Sequence, residues 1–469
     1  MRQSSGGGAA ARRLHAVVRC ALATIALLVS APAPACSGDD MKAVGTDLYF
    51  PLVYGDRPTR EQLATLGRRM FLDPGLSVSG RQSCASCHSP DHAYGAPNAL
   101  PVQPGGPDMD RHGFRNTPSL RYLHSPVAFT EHFMEREVSG GQDDEGPTGG
   151  RTWDGRVNSG HEQALMPLLD ANEMANASTD EIVQRLKGAA YSDEFRQAVS
   201  APGEDVFDNP DAAAGWLTVA IETFEQTPAE FHPFTSKYDA YLRKQAELSL
   251  SEQRGLALFN DFRKGNCVSC HPGARRNPAV DVPIFSDFGY SALGAPRNRE
   301  LAVNRDADFY DLGLCGPLRK DLKGKAQYCG LFRVPTLRNV ALRQSYFHNG
   351  AFHSLRQVVE FYATRDTDPQ KWYPRGRDGR VEKFDDLPPQ YRGNVNTDPP
   401  FAPLPGNRPR LTPAEIDDIV AFLNTLTDGY VPGRGRKLRP SGELHAAGGT
   451  LESAGMQAGR GDRRLGHGP

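Results

Sequence analysis

The chain has 469 residues, 38% of them apolar, and a formal net charge of -2 with both signs mixed along its length. Such a length favours two or three domains, each with a core of its own. The near-neutral balance leaves no electrostatic footprint for a nucleic acid or an acidic polymer as partner.

Residues 1–35 read as a secretion signal. Arg12, Arg13 and Arg19 supply the positive region, Cys20 to Val29 a short apolar stretch, and Ala33-Pro34-Ala35 a small-x-small cleavage site. The apolar stretch is too short to span a bilayer, and no later segment is long and apolar enough. Cleavage leaves Cys36 at the new N-terminus, where it can carry a lipid. Ala33 stands where a lipoprotein signal usually has leucine, so the lipidated and free forms both stay open. The expected location is the periplasm.

Next, Arg60 to Phe71 predicts a helix with Leu63, Leu66, Met70 and Phe71 on its apolar face. It leads into Cys84-Ala85-Ser86-Cys87-His88, and the same pentapeptide pattern returns as Cys267-Val268-Ser269-Cys270-His271. Cys-x-x-Cys-His is the attachment signature of a c-type haem. Two thiols add to the vinyl groups on one edge of the porphyrin, and the adjacent histidine reaches the iron. A zinc site or a redox dithiol is the alternative. Zinc would draw both cysteine pairs into one cluster and gives no reason for a histidine after each. Two covalently bound haem c groups are therefore expected.

Between the motifs the pattern is helical. Ser178 with Glu181 opens a helix to Leu186, and Ala212 to Phe224 carries Trp216, Val219, Ile221 and Phe224. Pro228 to Phe234 suggests a junction. Ser249 and Glu252 form a capping box before Leu256, Leu258 and Phe259. Of the eight cysteines, Cys315 and Cys329 remain after the signal, the cleavage site and the haem motifs are served. An oxidising compartment permits a disulfide between them, with two buried thiols as the alternative. A loop so short would contribute about 3 kcal/mol in the chain-entropy picture.

Each haem motif is followed by a similar turn, Asn116-Thr117-Pro118-Ser119-Leu120-Arg121 and Val334-Pro335-Thr336-Leu337-Arg338, which suggests duplication of one haem-binding unit. No methionine lies between His271 and the tail, so His348, His353 and tyrosines are the candidate sixth ligands there. Leu355, Val358, Val359 and Tyr362 form one helical stripe. Thr412, Pro413 and Glu415 start a final helix with Ile416, Ile419, Val420, Leu423 and Leu426 inward. Residues 433–469 have the composition of a disordered tail. The expected fold is mainly α, with two tandem cytochrome c-like haem domains, 36–235 and 236–432, and long irregular loops.

From about residue 58 to 430 the sequence resembles the bacterial di-haem cytochrome c peroxidase and MauG family. The resemblance rests on Val334 to Asn339, on Tyr346-Phe347-His348-Asn349-Gly350, and on Trp153-Asp154-Gly155-Arg156. In that family the second haem's sixth ligand lies fourteen residues after the histidine of the His-x-Gly turn, which is Tyr362 here. Methionine there marks the peroxidases and tyrosine marks MauG. By the same resemblance Gln163, Pro167 and Glu173 match the distal pocket of the first, open haem. Glu173 would act as acid-base catalyst, its pKa raised by burial near Leu168 and Met174. Trp153 resembles the residue between the haems, and Asn116 a ligand to calcium, completed by carbonyls near Arg343 and Ser345. The implied function is a periplasmic peroxidase reducing hydrogen peroxide at the N-terminal haem. Its electrons would come through the C-terminal haem from a small donor such as a cytochrome c or cupredoxin, or from a protein substrate. A non-catalytic di-haem electron carrier is the alternative.

Overall fold

The computed structural model describes residues 58–123, 127–136, 142–273 and 282–432. The expected signal segment, Cys36 and residues 433–469 lie outside them. The described chain is mainly α, as expected, with three two-stranded pairings as its sheet.

Two compact units emerge, and they interleave along the chain. Among the described residues, one comprises those up to 85 together with 104–111 and 157–227; the other comprises those of 86–103, 112–156 and 228–432. Along the chain one crossing between the units falls at Thr227–Pro228, and residues 86–103 and 112–156 group with the second unit. The reason is long-range pairing inside the second unit. The Arg333 amide donates to the Trp153 carbonyl at 2.9 Å, and the Asn116 amide to the His348 carbonyl at 2.6 Å.

Each unit is organised around a helix crossing of the same design. In the first, the helix Arg60–Leu72 crosses the helix Pro210–Glu225 at Gly67, where a Cβ would stand 1.8 Å from the Ala220 carbonyl oxygen. Four residues on, Phe71 meets Phe224 edge to face at 5.5 Å. In the second, Leu250–Asn260 crosses Pro413–Asn424 at Gly255, whose Cβ would lie 1.9 Å from the Asp418 carbonyl oxygen. Phe259 meets Phe422 at 5.3 Å. Only glycine allows backbones this close, and the i+4 aromatic then seals the crossing on the same helix face.

Of the helix starts read from the sequence, the one read at Ala212 begins two residues earlier, at Pro210. Capping boxes form at Thr59, Ser249 and Thr412. At Ser178 the hydroxyl caps Glu181 as expected, but the Glu181 carboxylate reaches back to the Ala177 amide at 2.8 Å instead of closing the box. Cys315 and Cys329 are bonded, with Cα atoms 5.0 Å apart.

Candidate haem sites

The two Cys-x-x-Cys-His motifs fold as single helical turns, Cys84–Cys87 and Cys267–Ser269. Residues three apart on such a turn share a face, so each pair of half-buried sulfurs is presented on one side. After the second turn the His271 amide donates to the Cys267 carbonyl at 2.8 Å, carrying the turn into the histidine.

Both histidines are set by a carbonyl. His88 Nδ1 lies 3.1 Å from the Tyr94 oxygen and His271 Nδ1 lies 2.9 Å from the Phe285 oxygen. A carbonyl only accepts, so Nδ1 carries the proton and Nε2 keeps its lone pair for a metal. Burial pulls both imidazoles down to about 4, which holds them neutral and ligand-ready. Tyr94 and Phe285 reach this position in left-handed backbone, φ 56° and 57°. The duplicated turns supply the rest. The Leu120 and Leu337 amides donate to those same two carbonyls. Ser119 and Thr336 hydroxyls donate to the carbonyls one residue earlier, Ala93 and Ile284.

Around His271 the second unit holds a cavity of about 230 Å³. Cys267, Cys270, His271 and Tyr362 all line it, with Leu355, Val358 and Val359 from the same helix, and no methionine does. The helix Leu355–Thr364 thus brings Tyr362 to the second motif, its ring stacked on Phe401 at 5.0 Å. Burial pushes the Tyr362 phenol far above its ordinary value. Of the two histidine candidates, His353 is exposed, 3.9 Å from Glu300. His348 lines the cavity, stacked on Phe332 at 3.6 Å, with a buried Nε2 that has no hydrogen-bond partner. Apolar walls, two adjacent sulfurs, a neutral imidazole and a polar end with Arg333 and His348 fit a flat apolar group bearing carboxylates at one edge, as a haem is.

Trp153 lines the same cavity, its indole N–H donating to the Asn116 carbonyl at 2.8 Å. It sits on a stiff loop. Thr152 adopts φ 69°, rare for a β-branched residue, and its hydroxyl donates to Asp154. Asp154 is fully buried between Arg115 and Arg156, and Arg115 also pairs with Asp311. These guanidiniums hold the Asp154 carboxyl below the usual carboxylate range against the opposing cost of burial.

Gln163 and Pro167 stand one turn apart on the helix Gly160–Leu169. The start of that helix is anchored by buried Glu222, whose carboxylate accepts from the Gly160 and His161 amides and contacts His161 Nδ1 at 2.8 Å. Glu173 follows the helix. Its carbonyl accepts from the Gly106 amide at 2.7 Å, and a Cβ on Gly105 would sit 2.2 Å from the Asn172 oxygen, so the Pro104–Gly105 strand lies flat on its backbone. The expectation that burial near Leu168 and Met174 tunes this acid is corrected: those two side chains are buried, while Glu173 is exposed. A residue just past a helix end turns its side chain out where its neighbours turn in.

Sequence reasoning misses Glu222, the Arg115–Asp154–Asp311 cluster and the engagement of Asn116. Asn116 Oδ1 accepts from Arg343 at 2.7 Å. No local pattern signals partners so distant in the chain; the Pro118 and Pro335 turns are the one visible hint, through their repeat.

The described residues contain no helix long and apolar enough to cross a membrane. Residues 61–247 match the family described as di-haem cytochrome c peroxidase. The methylamine utilization protein MauG of Paracoccus denitrificans is 34% identical over 382 residues, 79% of this chain and 90% of that protein. Cytochrome c551 peroxidase of Pseudomonas aeruginosa is 28% identical over 342 residues, 71% of this chain and 82% of its own length. The solved structure of the diheme peroxidase BthA from Burkholderia thailandensis is similar at a TM-score of 0.68 and 39% identity, covering 79% of this chain and 87% of that one. With two histidine-bearing motifs built alike and relatives matched over most of their length, the chain belongs to the di-haem cytochrome c peroxidase and MauG family, oxidoreductases that act on peroxide with two haems.

Proposed function

We propose that the chain is an exported, MauG-like di-haem peroxidase whose haems are attached as c-type groups, the first left open for peroxide and the second closed by Tyr362. Haem, when bound, would supply the redox chemistry for peroxide reduction and electron transfer. Cys84 and Cys87 hold the first group and Cys267 and Cys270 the second, each through thioether bonds. His88 and His271 present Nε2 to the two irons. Glu173 moves the proton from the inner to the outer peroxide oxygen, and Gln163 orients the peroxide beside Pro167. Trp153, fixed through its N–H, relays electrons. The donor is a small periplasmic protein, a cytochrome c or cupredoxin, or the aromatic side chains of a protein substrate. The signal segment directs the chain to the periplasm, where Cys36 offers a site for a lipid.

The observation that carries this reading is the shared cavity of Cys267, Cys270, His271 and Tyr362, with no methionine in its lining. The test is stoichiometric hydrogen peroxide added to the haem-loaded chain, followed by electron paramagnetic resonance. One high-spin and one low-spin haem are expected, both changing on addition. Two low-spin haems inert to peroxide would overturn it.

A further inference from the structure

Oxygen by oxygen, the place that the family resemblance gives to calcium is taken by a cation of the chain itself. Asn116 Oδ1 accepts from the Arg343 guanidinium at 2.7 Å, and the Thr117 carbonyl accepts from the same nitrogen at 2.9 Å. The Ser345 carbonyl accepts from Arg343 Nε at 3.3 Å, and the Arg343 carbonyl accepts from the Tyr346 hydroxyl at 2.8 Å. Asn116 Nδ2 meanwhile donates to Ser345 Oγ at 2.6 Å. Each oxygen of the expected set therefore already faces a proton donor. Calcium needs about six to eight oxygens close around it, and a positive guanidinium lodged among them repels it. These residues do not fit the ion.

We propose that the Arg343 guanidinium is a built-in structural cation that replaces a dissociable calcium, so that the loop orienting Trp153 and His88 holds its shape without any metal. The loop connects both. Asn116 receives the Trp153 indole N–H on its carbonyl and donates its amide to His348. Two residues on, the Pro118 carbonyl faces His88, and Gly95, beside the Tyr94 carbonyl that sets His88, leaves space toward Arg343. An arginine side chain stays protonated in proteins, so the guanidinium brings a positive charge to these oxygens. Its planar fork spans three acceptors, as a lysine's point charge cannot. Arg343 is a positioning residue, and its covalent attachment makes the arrangement proof against chelators.

This inference rests on the di-haem reading, and its test reads metal content and loop order separately from peroxide turnover. The haem-loaded full chain is dialysed against a calcium chelator, then assayed for calcium by elemental analysis, for thermal midpoint, and for the high-spin signal of the first haem. Expected is no stoichiometric calcium before dialysis and no change in midpoint or signal after it. Arg343→Thr, which removes the guanidinium, should lower the midpoint and disturb the high-spin signal, with both recovering on addition of calcium at roughly millimolar levels. Arg343→Lys should be disturbed less than Arg343→Thr. About one calcium per chain in the natural protein, or a chelator-induced shift, overturns the proposal whether or not the variants fold. So does a folded Arg343→Thr that is indistinguishable from the natural protein or deaf to calcium. Loss of peroxide reactivity with the calcium results as expected would instead count against the functional reading alone.

Discussion

The segments built on His88 and His271 share a frame and differ in what surrounds it. Carbonyl-set imidazole, left-handed aromatic, leucine amide and hydroxyl-to-carbonyl contact recur in both. The arginine that ends each turn does not. Arg338 pairs with Asp239, both wholly buried, and its guanidinium also donates to the Pro283 carbonyl. Arg121 pairs with Asp428 in a setting 16% exposed on its own side. Around His271, too, a helix delivers Tyr362 into the same cavity, whereas Gln163, Pro167 and Glu173 belong to a different compact unit from His88. The frame is made largely of backbone groups and tolerates repetition. The ligand environment is made of side chains from elsewhere, and there the two copies diverge.

The sharpest way to break that comparison is at Tyr362. Tyr362→Phe should abolish the low-spin spectrum of the second haem while leaving the first haem's high-spin signal. An unchanged low-spin spectrum would shift the ligand to His348. Next, Glu173→Gln should slow peroxide cleavage by about 100-fold, read by stopped-flow absorbance, with haem content unchanged. Third, Arg338→Ala strips the wholly buried Asp239 of its ion-pair partner, and should cost about 3–5 kcal/mol in chemical denaturation. Arg121→Ala, with water nearer at hand, should cost about 1–2 kcal/mol; equal losses would erase the distinction between the copies.

The last expected effect is read as a slope rather than a loss, and it comes from Asp386. Burial pushes this carboxyl up to about 7, despite the Asn349 amide at 3.0 Å and Arg297 at 3.4 Å, and it lies 3.9 Å from His348 Nε2. Its folded pKa exceeds the ordinary 3.8, so the folded state holds a proton that the unfolded state releases. Stability from this group is full below that ordinary value and is lost as pH rises through about 7. Asp386→Asn should flatten the dependence of thermal midpoint on pH between about 4 and 7.

Much of the architecture is legible in short stretches of the chain. The two haem motifs, the capping boxes at Ser249 and Thr412, and the turn repeat at Pro118 and Pro335 all depend on residues within a few positions of one another. Local spacing alone puts two sulfurs on one face and a histidine next to them. Tyr362 reads as an inward helix position, but spacing does not say which cavity it enters. Glu173 defeats the same kind of reading, because apolar neighbours in sequence do not decide which way a side chain turns after a helix ends.

Sequence by itself determined the two Cys-x-x-Cys-His spacings, the capped helix starts at Ser249 and Thr412 and the repeated turn, since each is written in short-range patterns. Tertiary structure alone decided that the boundary between units interleaves, that Arg343 sits on the oxygens of Asn116 and Thr117, and that Tyr362 shares a cavity with His271. The Arg343 outcome turns on groups that meet across more than two hundred residues of chain. Burial and hydrogen bonding settle such meetings only when the whole core is assembled.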